Sequence, residues 1–383
     1  MKICISLRDP APTDLREGNL RSEGRWERQA LEACISNPLV TDIYTAGYEW
    51  SGGKNITSKY RGQITKGVAP DTVLLIQDYN WNVITGSGYT YKAVLVNIFM
   101  GPWEPQKREI KNLVDKYGNK FMFTIGYPAA LEGQALYLKD FIDVSNILVL
   151  PVPAVPAVVE GSNFNKKILL WPYRIIFFSS LSEMPVIDWA LQKLITYPDL
   201  ELVVATGWNR DEAKEINSTG TDAYSITRDL NEVFWEVEKH KPFISARSRV
   251  KILYSIPWKE MLTTYSNTKL MLPHATYNGG SPCEAGMYGV PFIGNGNSMT
   301  FKDCEPSFVQ TAMHRDGATF RGCAEFLVAG NSDQHLAMLD KLLIDEEHYN
   351  KIGNAYRDFI RRTYTYESFN NHLNNILTSR GLA

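Results

Sequence analysis

The stretch that decides the fold is NGGSPCEAGMYGVPFIGN, residues 278–295. It places two glycines and a Ser-Pro step directly before a short helical segment and a further apolar strand. Residues 281–284 have the S-x-x-E spacing of a capping box, with proline at the first helical position, which predicts a helix that begins there. Gly289 and Pro291 should end this helix before the next apolar run.

The two glycines give this turn a second interpretation. Gly279 and Gly280 allow backbone conformations that a side chain forbids, and they let a ligand approach the main chain closely. A glycine turn that leads into a helix presents free N–H groups and a partial positive charge, which suits a phosphate. Alone, the stretch fits a phosphate site and a well-capped structural helix equally, so the rest of the chain must decide.

Length and composition limit the class of protein. A chain of 383 residues is too long for one ordinary core, so two domains are expected. With 44% hydrophobic and 21% charged residues, the composition is that of a globular protein. The formal net charge of −2 and a pI near 6.3 exclude a global attraction to nucleic acid or to an anionic membrane.

Cysteine usage and the first residues suggest a compartment. The five cysteines are odd in number and lack metal-type spacing, which favours free thiols in a reducing cytosol over a disulfide framework. The opening MKICISL reads as a strand and lacks the regions of a signal peptide, and no apolar run reaches the ~18–20 residues that span a bilayer. We therefore expect a cytoplasmic protein without a membrane span.

Strand and helix signals alternate through the first half. The predicted strands are Lys2–Leu7, Val40–Thr45, Thr72–Gln77, Ala93–Phe99 and Phe121–Ile125, and the predicted helices are Trp26–Ile35 and Gln106–Tyr117. Strands separated by helices indicate a parallel sheet with crossover connections.

The segment ILVLPVPAVPAV, residues 147–158, marks a seam. Three closely spaced prolines lack the backbone N–H groups that would donate to a neighbouring strand, so we expect a strand that runs into a stiff linker. The alternation then restarts, with predicted strands Ile175–Phe178, Leu200–Ala205, Val250–Tyr254 and Thr268–Leu272, predicted helices Val186–Ile195 and Lys259–Thr264, and a helical tail from His335 to Leu377. The sequence thus predicts two doubly wound α/β domains whose strand carboxyl ends face a common cleft.

A family resemblance appears in the second half. Residues 249–294, RVKILYSIPWKEMLTTYSNTKLMLPHATYNGGSPCEAGMYGVPFIG, resemble the C-terminal half of the retaining GT-B glycosyltransferases called group 1. Residues 177–207, FFSSLSEMPVIDWALQKLITYPDLELVVATG, are similar to the first β-α-β unit of that family's nucleotide domain. The resemblance covers most of 167–330, whereas residues 1–150 share only the alternating pattern.

This resemblance implies a domain plan and an activity. Residues 1–160 would form an acceptor-binding Rossmann-like domain, residues 161–360 a nucleotide-sugar-binding one, and residues 361–383 a C-terminal helix that crosses back to the first domain. The implied reaction is retaining, metal-independent transfer of a hexosyl or pentosyl group to a hydroxyl acceptor. The donor would be a nucleotide-sugar, with a UDP-sugar the first choice, and no cofactor would be bound permanently.

The resemblance also assigns site residues. Glu284 matches the second acidic residue of the family's E-x7-E pattern, which holds ribose hydroxyls, although a capping role would use the same carboxylate. Gly279, Gly280 and Ser281 match the loop that faces the diphosphate and sugar. The segment with Tyr254 and Ile256 matches the lining of the base pocket.

Three departures from the family pattern matter. Thr276 stands where the first acidic residue should contact the transferred sugar, and Ser180 and Met184 stand where an arginine and a lysine neutralise the diphosphate. All six histidines lie in the second half, so the first half supplies none. His274 then remains, as either a packed edge histidine or a donor to the ligand.

A diphosphate without a metal requires another cation. Arg174 comes just before the first predicted strand of the second half, and Arg210 follows the turn at Thr206 and Gly207. The loop 8–28 carries five arginines interleaved with five acidic residues. That loop is either a solvated, charge-balanced segment or the source of a replacement clamp. We predict Thr276, His274 and Arg210 as catalytic residues, with Arg174 and Ser180 beside the donor.

Other functional classes lack their motifs or stay open as alternatives. The chain has no D-x-D pair, no G-x-x-x-x-G-K-[ST] loop and no strand-embedded G-x-G-x-x-G.

The start of the chain, residues 284–303 and the aromatic tail also resemble T-even phage DNA glycosyltransferases, whose acceptor is 5-hydroxymethylcytosine. A basic rim for DNA would come from Lys54, Lys59, Arg61 and Lys66. The alternatives are a cell-surface polysaccharide or small-molecule acceptor, a sugar-nucleotide epimerase, and an inactive nucleotide-sugar binder.

Overall fold

The structure is a computed structural model that describes residues 1–7, 25–47, 69–77, 88, 90–98, 104–126, 138–140, 142–173, 185–206, 230–254, 258–272, 280–295, 327–329 and 332–383. The strands are β1 (Lys2–Leu7), β2 (Asp42–Gly47), β3 (Ala69–Gln77), β4 (Tyr91–Ile98), β5 (Phe121–Ile125), β6 (Ile147–Val149), β7 (Ile168–Tyr173), β8 (Glu201–Thr206), β9 (Val250–Tyr254), β10 (Thr268–Met271), β11 (Ile293–Asn295) and β12 (Leu327–Ala329). The helices are α1 (Arg25–Ile35), α2 (Glu104–Tyr117), α3 (Pro185–Thr196), α4 (Leu230–Glu236), α5 (Trp258–Ser266), α6 (Gly280–Gly286), α7 (Ser332–Ile344), α8 (Glu346–Thr363) and α9 (Tyr366–Ser379). Short 3-10 segments occupy Gly118–Lys120, Val144–Asn146 and Glu238–Arg249.

The first half forms a six-stranded parallel sheet in the order β2-β1-β3-β4-β5-β6. One face packs against α1 and α9, with Ile3, Leu75 and Leu95 in the shared core. The other face packs against α2 through residues such as Val96 and Phe123. Both faces are covered, which explains why the central strands are apolar almost throughout.

The second half forms a four-stranded parallel sheet in the order β10-β7-β8-β9, and β11 and β12 make a separate parallel pair. Helices α3, α4 and α7 cover one face, where Trp171, Trp189 and Phe234 are buried. Helices α5 and α6 cover the other face through Tyr265 and Ala285. The predicted architecture of two α/β units with parallel sheets is confirmed.

Strand β7 was not predicted. It lies between β10 and β8, and its Pro172 is in register with Ala205. Because proline cannot donate to a ladder, a proline in an apolar run argues against an interior strand, and this misled the sequence interpretation. The strand predicted at 175–178 lies outside the described residues.

The proline-rich segment after β6 forms no further strand, and it connects the halves through backbone hydrogen bonds. The N–H groups of Ala154 and Val155 both donate to the carbonyl oxygen of Tyr364, at 3.0 and 3.1 Å, and Val155 makes a bridge with Thr365. The segment is thereby fixed against the corner between α8 and α9.

The last helix, α9, lies against the first half of the chain. Phe369 and Leu373 join the core under α1, and the side-chain amide of Asn370 donates to the carbonyl oxygen of Ala33 at 2.8 Å. Asn37 donates to Asn374 at 2.9 Å beside it. The predicted domain limits at residues 160 and 360 stay predictions. Among the helices that the structure describes, none is both long and apolar enough to cross a bilayer.

Candidate functional site

Helix α6 lies within residues 278–295, the predicted glycine turn and short helix. It begins at Gly280, two residues before the predicted first helical residue Pro282, a difference within the usual uncertainty of helix ends. It ends at Gly286, as short as predicted, and Gly289 follows with φ of +77°. That left-handed conformation favours glycine and turns the chain towards β11.

Helix α6 lies very close to α8. A Cβ atom at Gly286 would overlap the side chains of Tyr356 and Ile360, and a Cβ atom at Gly353 would overlap the carbonyl oxygen of Gly289. Cys283 is buried in the same contact, where its sulfur accepts a hydrogen bond from the Tyr356 hydroxyl at 3.9 Å. The glycines therefore set the distance between the two helices, and with it the position of α6.

Glu284 stands in the middle of α6 and is completely buried. Its Oε1 accepts a hydrogen bond from Nε2 of Gln29 at 3.3 Å, and the same nitrogen donates to the carbonyl oxygen of Ala154 at 2.8 Å. Gln29 is in the first turns of α1. Three parts of the chain therefore meet at this carboxylate: the first half, the connecting segment and the second half.

The burial of Glu284 limits what can reach it. A carboxylate that leaves water needs hydrogen-bond donors, and Gln29 supplies one. Two carboxylate oxygens offer about four acceptor directions, so the group can also accept from a ligand's hydroxyl groups. Because no part of the side chain is exposed, a ligand can approach only when the groups that cover it move aside.

Of the other predicted site residues, three have described backbones. Gly280 and Ser281 are the first residues of α6, and Tyr254 is the last residue of β9. Strands β10 and β9 are the outer strands of the four-stranded sheet, so their carboxyl ends lie roughly 14 Å apart, three strand spacings. Because all four strands are parallel, the carboxyl end of β10 and the carboxyl end of β9 lie on the same side of the sheet.

The remaining predicted residues fall outside the described part of the chain. These are the catalytic candidates Thr276, His274 and Arg210, and the binding candidates Gly279, Ser180, Ile256 and Arg174, together with Met184 and the basic residues between 51 and 68. Of the loop 8–28, only residues 25–28 are described. Among the residues that the structure does place, no group of three or more His, Cys, Asp or Glu side chains could hold a metal ion.

A row of buried polar residues lies at the last or next-to-last position of three strands of the first sheet. Gln77, Asn97 and Thr124 are in register on β3, β4 and β5, and all three are buried. Within the described structure, Oδ1 of Asn97 and Oγ1 of Thr124 have no hydrogen-bond partner. Sequence reasoning missed this row, although a polar residue in the last two positions of each of three apolar strands was a usable signal.

Comparison of the chain with solved structures identifies its fold. No model of a protein family and no curated protein match the chain. It is similar to HepE from Anabaena, solved in complex with UDP and glucose, at a TM-score of 0.55 and 10% identity, over 99% of this chain and 100% of that one. It is also similar to a glycosyltransferase from Rickettsia africae, at a TM-score of 0.57 and 11% identity, over 98% of both chains.

A third similar structure is an O-GlcNAc transferase from Thermobaculum terrenum, at a TM-score of 0.53 and 12% identity, over 100% of this chain and 67% of that one. At such low identities the likeness establishes the fold alone. The similarity to HepE and to the Rickettsia enzyme extends over both sheets and the helical tail. The chain has the GT-B fold of these glycosyltransferases, as the resemblance over residues 249–294 predicted.

Proposed function

We propose that the protein is a glycosyltransferase that moves a sugar from a nucleotide-sugar to a hydroxyl acceptor. The proposal rests on one observation: in a chain with the GT-B fold, Glu284 lies on the helix after β10, where residues of both halves meet. Its carboxylate is suited to accept hydrogen bonds from the two hydroxyl groups of a ribose. A UDP-sugar is our proposed donor, supported by HepE, which was also solved with UDP-glucose.

The donor in this proposal lies along the carboxyl edge of the second sheet. The ribose contacts Glu284, the base lies towards the end of β9 at Tyr254, and the diphosphate and sugar face the turn at Gly279 and Gly280. Arg174 or Arg210 would neutralise the diphosphate. The chain contains no D-x-D pair of the kind that grips a metal-bound diphosphate, so we propose metal-independent transfer.

The acceptor in this proposal binds against the first half, near the carboxyl ends of the strands that carry Gln77, Asn97 and Thr124. The acceptor hydroxyl attacks the anomeric carbon on the same face as the departing diphosphate. A diphosphate oxygen takes the hydroxyl proton as the bond to the sugar breaks, so configuration is retained and no protein base is needed. Thr276 and His274 would orient the transferred sugar, and most of the rate would come from positioning and charge stabilisation.

The burial of Glu284 gives this proposal a conformational requirement. The halves must separate enough for the ribose to reach the carboxylate, and they must close again around the donor. Closure of this kind excludes water that would otherwise hydrolyse the activated sugar.

A nucleotide-sugar screen tests the proposal. The thermal unfolding midpoint is measured with UDP-, GDP-, ADP- and TDP-sugars for the wild type, for Glu284→Ala, and for Glu260→Ala as a control, since Glu260 is exposed on α5. We expect a UDP-sugar to raise the midpoint of the wild type and the control but not of Glu284→Ala. An unchanged shift in Glu284→Ala would remove the assignment of this carboxylate.

Activity is then followed by mass spectrometry of donor and acceptor. Simple glycans and DNA containing 5-hydroxymethylcytosine serve as acceptors, since these two classes remain open from the sequence. Transfer to either one supports the proposal and identifies the acceptor class. A midpoint shift without sugar release indicates a nucleotide-sugar binder, and recovery of an isomerised nucleotide-sugar indicates an epimerase.

A further inference from the structure

Gln29 belongs to the first half of the chain, but its side chain ends at the carboxylate of Glu284 in the second half. We propose that Gln29 is a positioning residue of the nucleotide-sugar site: it holds the Glu284 carboxylate so that the second half binds the ribose with help from the first. This inference rests on the proposed function, because it assigns Gln29 a role at that same site.

The hydrogen bonds leave the Gln29 amide one orientation. Its nitrogen has two N–H donors and faces two acceptors, the carbonyl oxygen of Ala154 at 2.8 Å and Oε1 of Glu284 at 3.3 Å. The reversed amide would place its oxygen against the same two acceptors, which is repulsive. Gln29 is only 2% exposed, so water cannot readily replace either bond. The side chain is therefore a fixed donor and not an adaptable one.

Glu284 benefits from such a donor without losing its capacity for a ligand. Its side chain is completely buried, and a buried carboxylate that lacks donors is strongly destabilised. The bond from Gln29 uses one acceptor direction of Oε1 and none of Oε2. Gln29 thus restricts the rotation of the carboxylate but does not compete with the ribose for it.

Because α1 and α6 pack on different sheets, the hydrogen bond between Gln29 and Glu284 connects the two halves. Ala30 and Leu31, next to Gln29 on α1, are buried in the core of the first sheet. Ala285, next to Glu284 on α6, is buried in the core of the second sheet. Each partner is therefore fixed to its own sheet, and the bond depends on how the two sheets are placed relative to each other.

The acceptor at Ala154 strengthens the same connection. Its carbonyl oxygen receives Gln29, while its N–H donates to Tyr364 at 3.0 Å, at the corner between α8 and α9. Gln29 is thus bonded to the connecting segment as well as to α6. Closure of the halves would set the carboxylate for ribose binding, which couples donor affinity to the closed arrangement.

The test is a binding cycle with UDP as the probe. The dissociation constant is measured by calorimetry for the wild type, Gln29→Met, Glu284→Gln and the double variant. Methionine has nearly the size of glutamine and removes both hydrogen bonds. Gln192→Met, at an exposed position on α3, is the matched control.

We expect Gln29→Met to weaken UDP binding roughly three- to tenfold, the range of one ordinary hydrogen bond, and Gln192→Met to leave it unchanged. Because Gln29 acts through Glu284, Gln29→Met should cause little further loss in the Glu284→Gln background. In Gln29→Glu two carboxylates face each other, so its binding should be weaker than that of Gln29→Met. The exchanged pair, Gln29→Glu with Glu284→Gln, can again form a hydrogen bond and should recover part of the loss.

The outcomes separate this inference from the proposed function. If the wild type binds no nucleoside diphosphate, the proposed function fails and this inference fails with it. If the wild type binds UDP and Glu284→Gln weakens it, but a folded Gln29→Met binds as the wild type does, only this inference is overturned. An equal loss from Gln29→Met in both backgrounds would likewise overturn it. Should Gln29→Met not fold, Gln29→Glu and the exchanged pair provide the same comparison.

Discussion

Replacing Gly353 with alanine tests the contact between α8 and the turn at Gly289, which follows α6. In the middle of an exposed helix this change would raise the free energy of unfolding by about 0.5–1 kcal/mol, because glycine has the greater conformational entropy when unfolded. At Gly353 the added methyl group would overlap the carbonyl oxygen of Gly289. A backbone oxygen cannot rotate away as a side chain can, so α8 and the turn at Gly289 must move apart, at a cost of about 1–3 kcal/mol.

We therefore expect Gly353→Ala to lower the free energy of unfolding by about 1–2 kcal/mol, opposite in sign to the ordinary effect. Urea unfolding followed by tryptophan fluorescence is a suitable assay, since Trp171, Trp189 and Trp235 are buried in the second half. Asn354→Ala, at the next and exposed position on α8, is the control and should be neutral or slightly stabilising. A Gly353→Ala protein as stable as that control would refute the close contact between α8 and the turn at Gly289.

Two further predictions concern the last helices. Asn370→Ala removes the hydrogen bond to the carbonyl oxygen of Ala33 and should lower the free energy of unfolding by about 1 kcal/mol, measured by urea unfolding. The control Asn371→Ala, at an exposed position, should not lower it. Equal effects of the two changes would contradict the described contact of α9. Burial lowers the pKa of His335 to about 4, so below its ordinary pKa near 6.5 the unfolded chain binds a proton that the folded chain does not. The wild type should therefore lose about 2 kcal/mol more stability than His335→Leu between pH 6.5 and pH 5, and parallel pH profiles in urea unfolding would rule this out.

Much of the fold could be predicted because local patterns agree with it. Strands such as Val250–Tyr254 were predicted with the observed bounds, since their apolar runs are flanked by clear turn and helix signals. Strand β7 was missed because Pro172 lies in an interior strand, where a local rule does not expect proline. The start of α6 differed by two residues, because a glycine can occupy the first helical position as well as the turn before it.

The candidate site was predictable only in part. The family resemblance placed Glu284 correctly on a short helix after a strand, but Gln29 meets it from 255 residues away, and nothing in the pattern of α1 indicates that contact. Gln77, Asn97 and Thr124 form a row only through strand register, which one sequence does not specify. Contacts of this kind depend on how the sheets and helices are assembled and not on local propensity.

The central claim is that Glu284 holds the ribose of an activated sugar. A crystal structure of the protein with bound UDP tests it most directly. We expect both ribose hydroxyl oxygens to lie within about 2.5–3.0 Å of the Glu284 carboxylate oxygens, with the Gln29 amide still donating to this carboxylate. A nucleotide bound elsewhere, or a Glu284 carboxylate that stays covered and out of contact with the ribose, would contradict it.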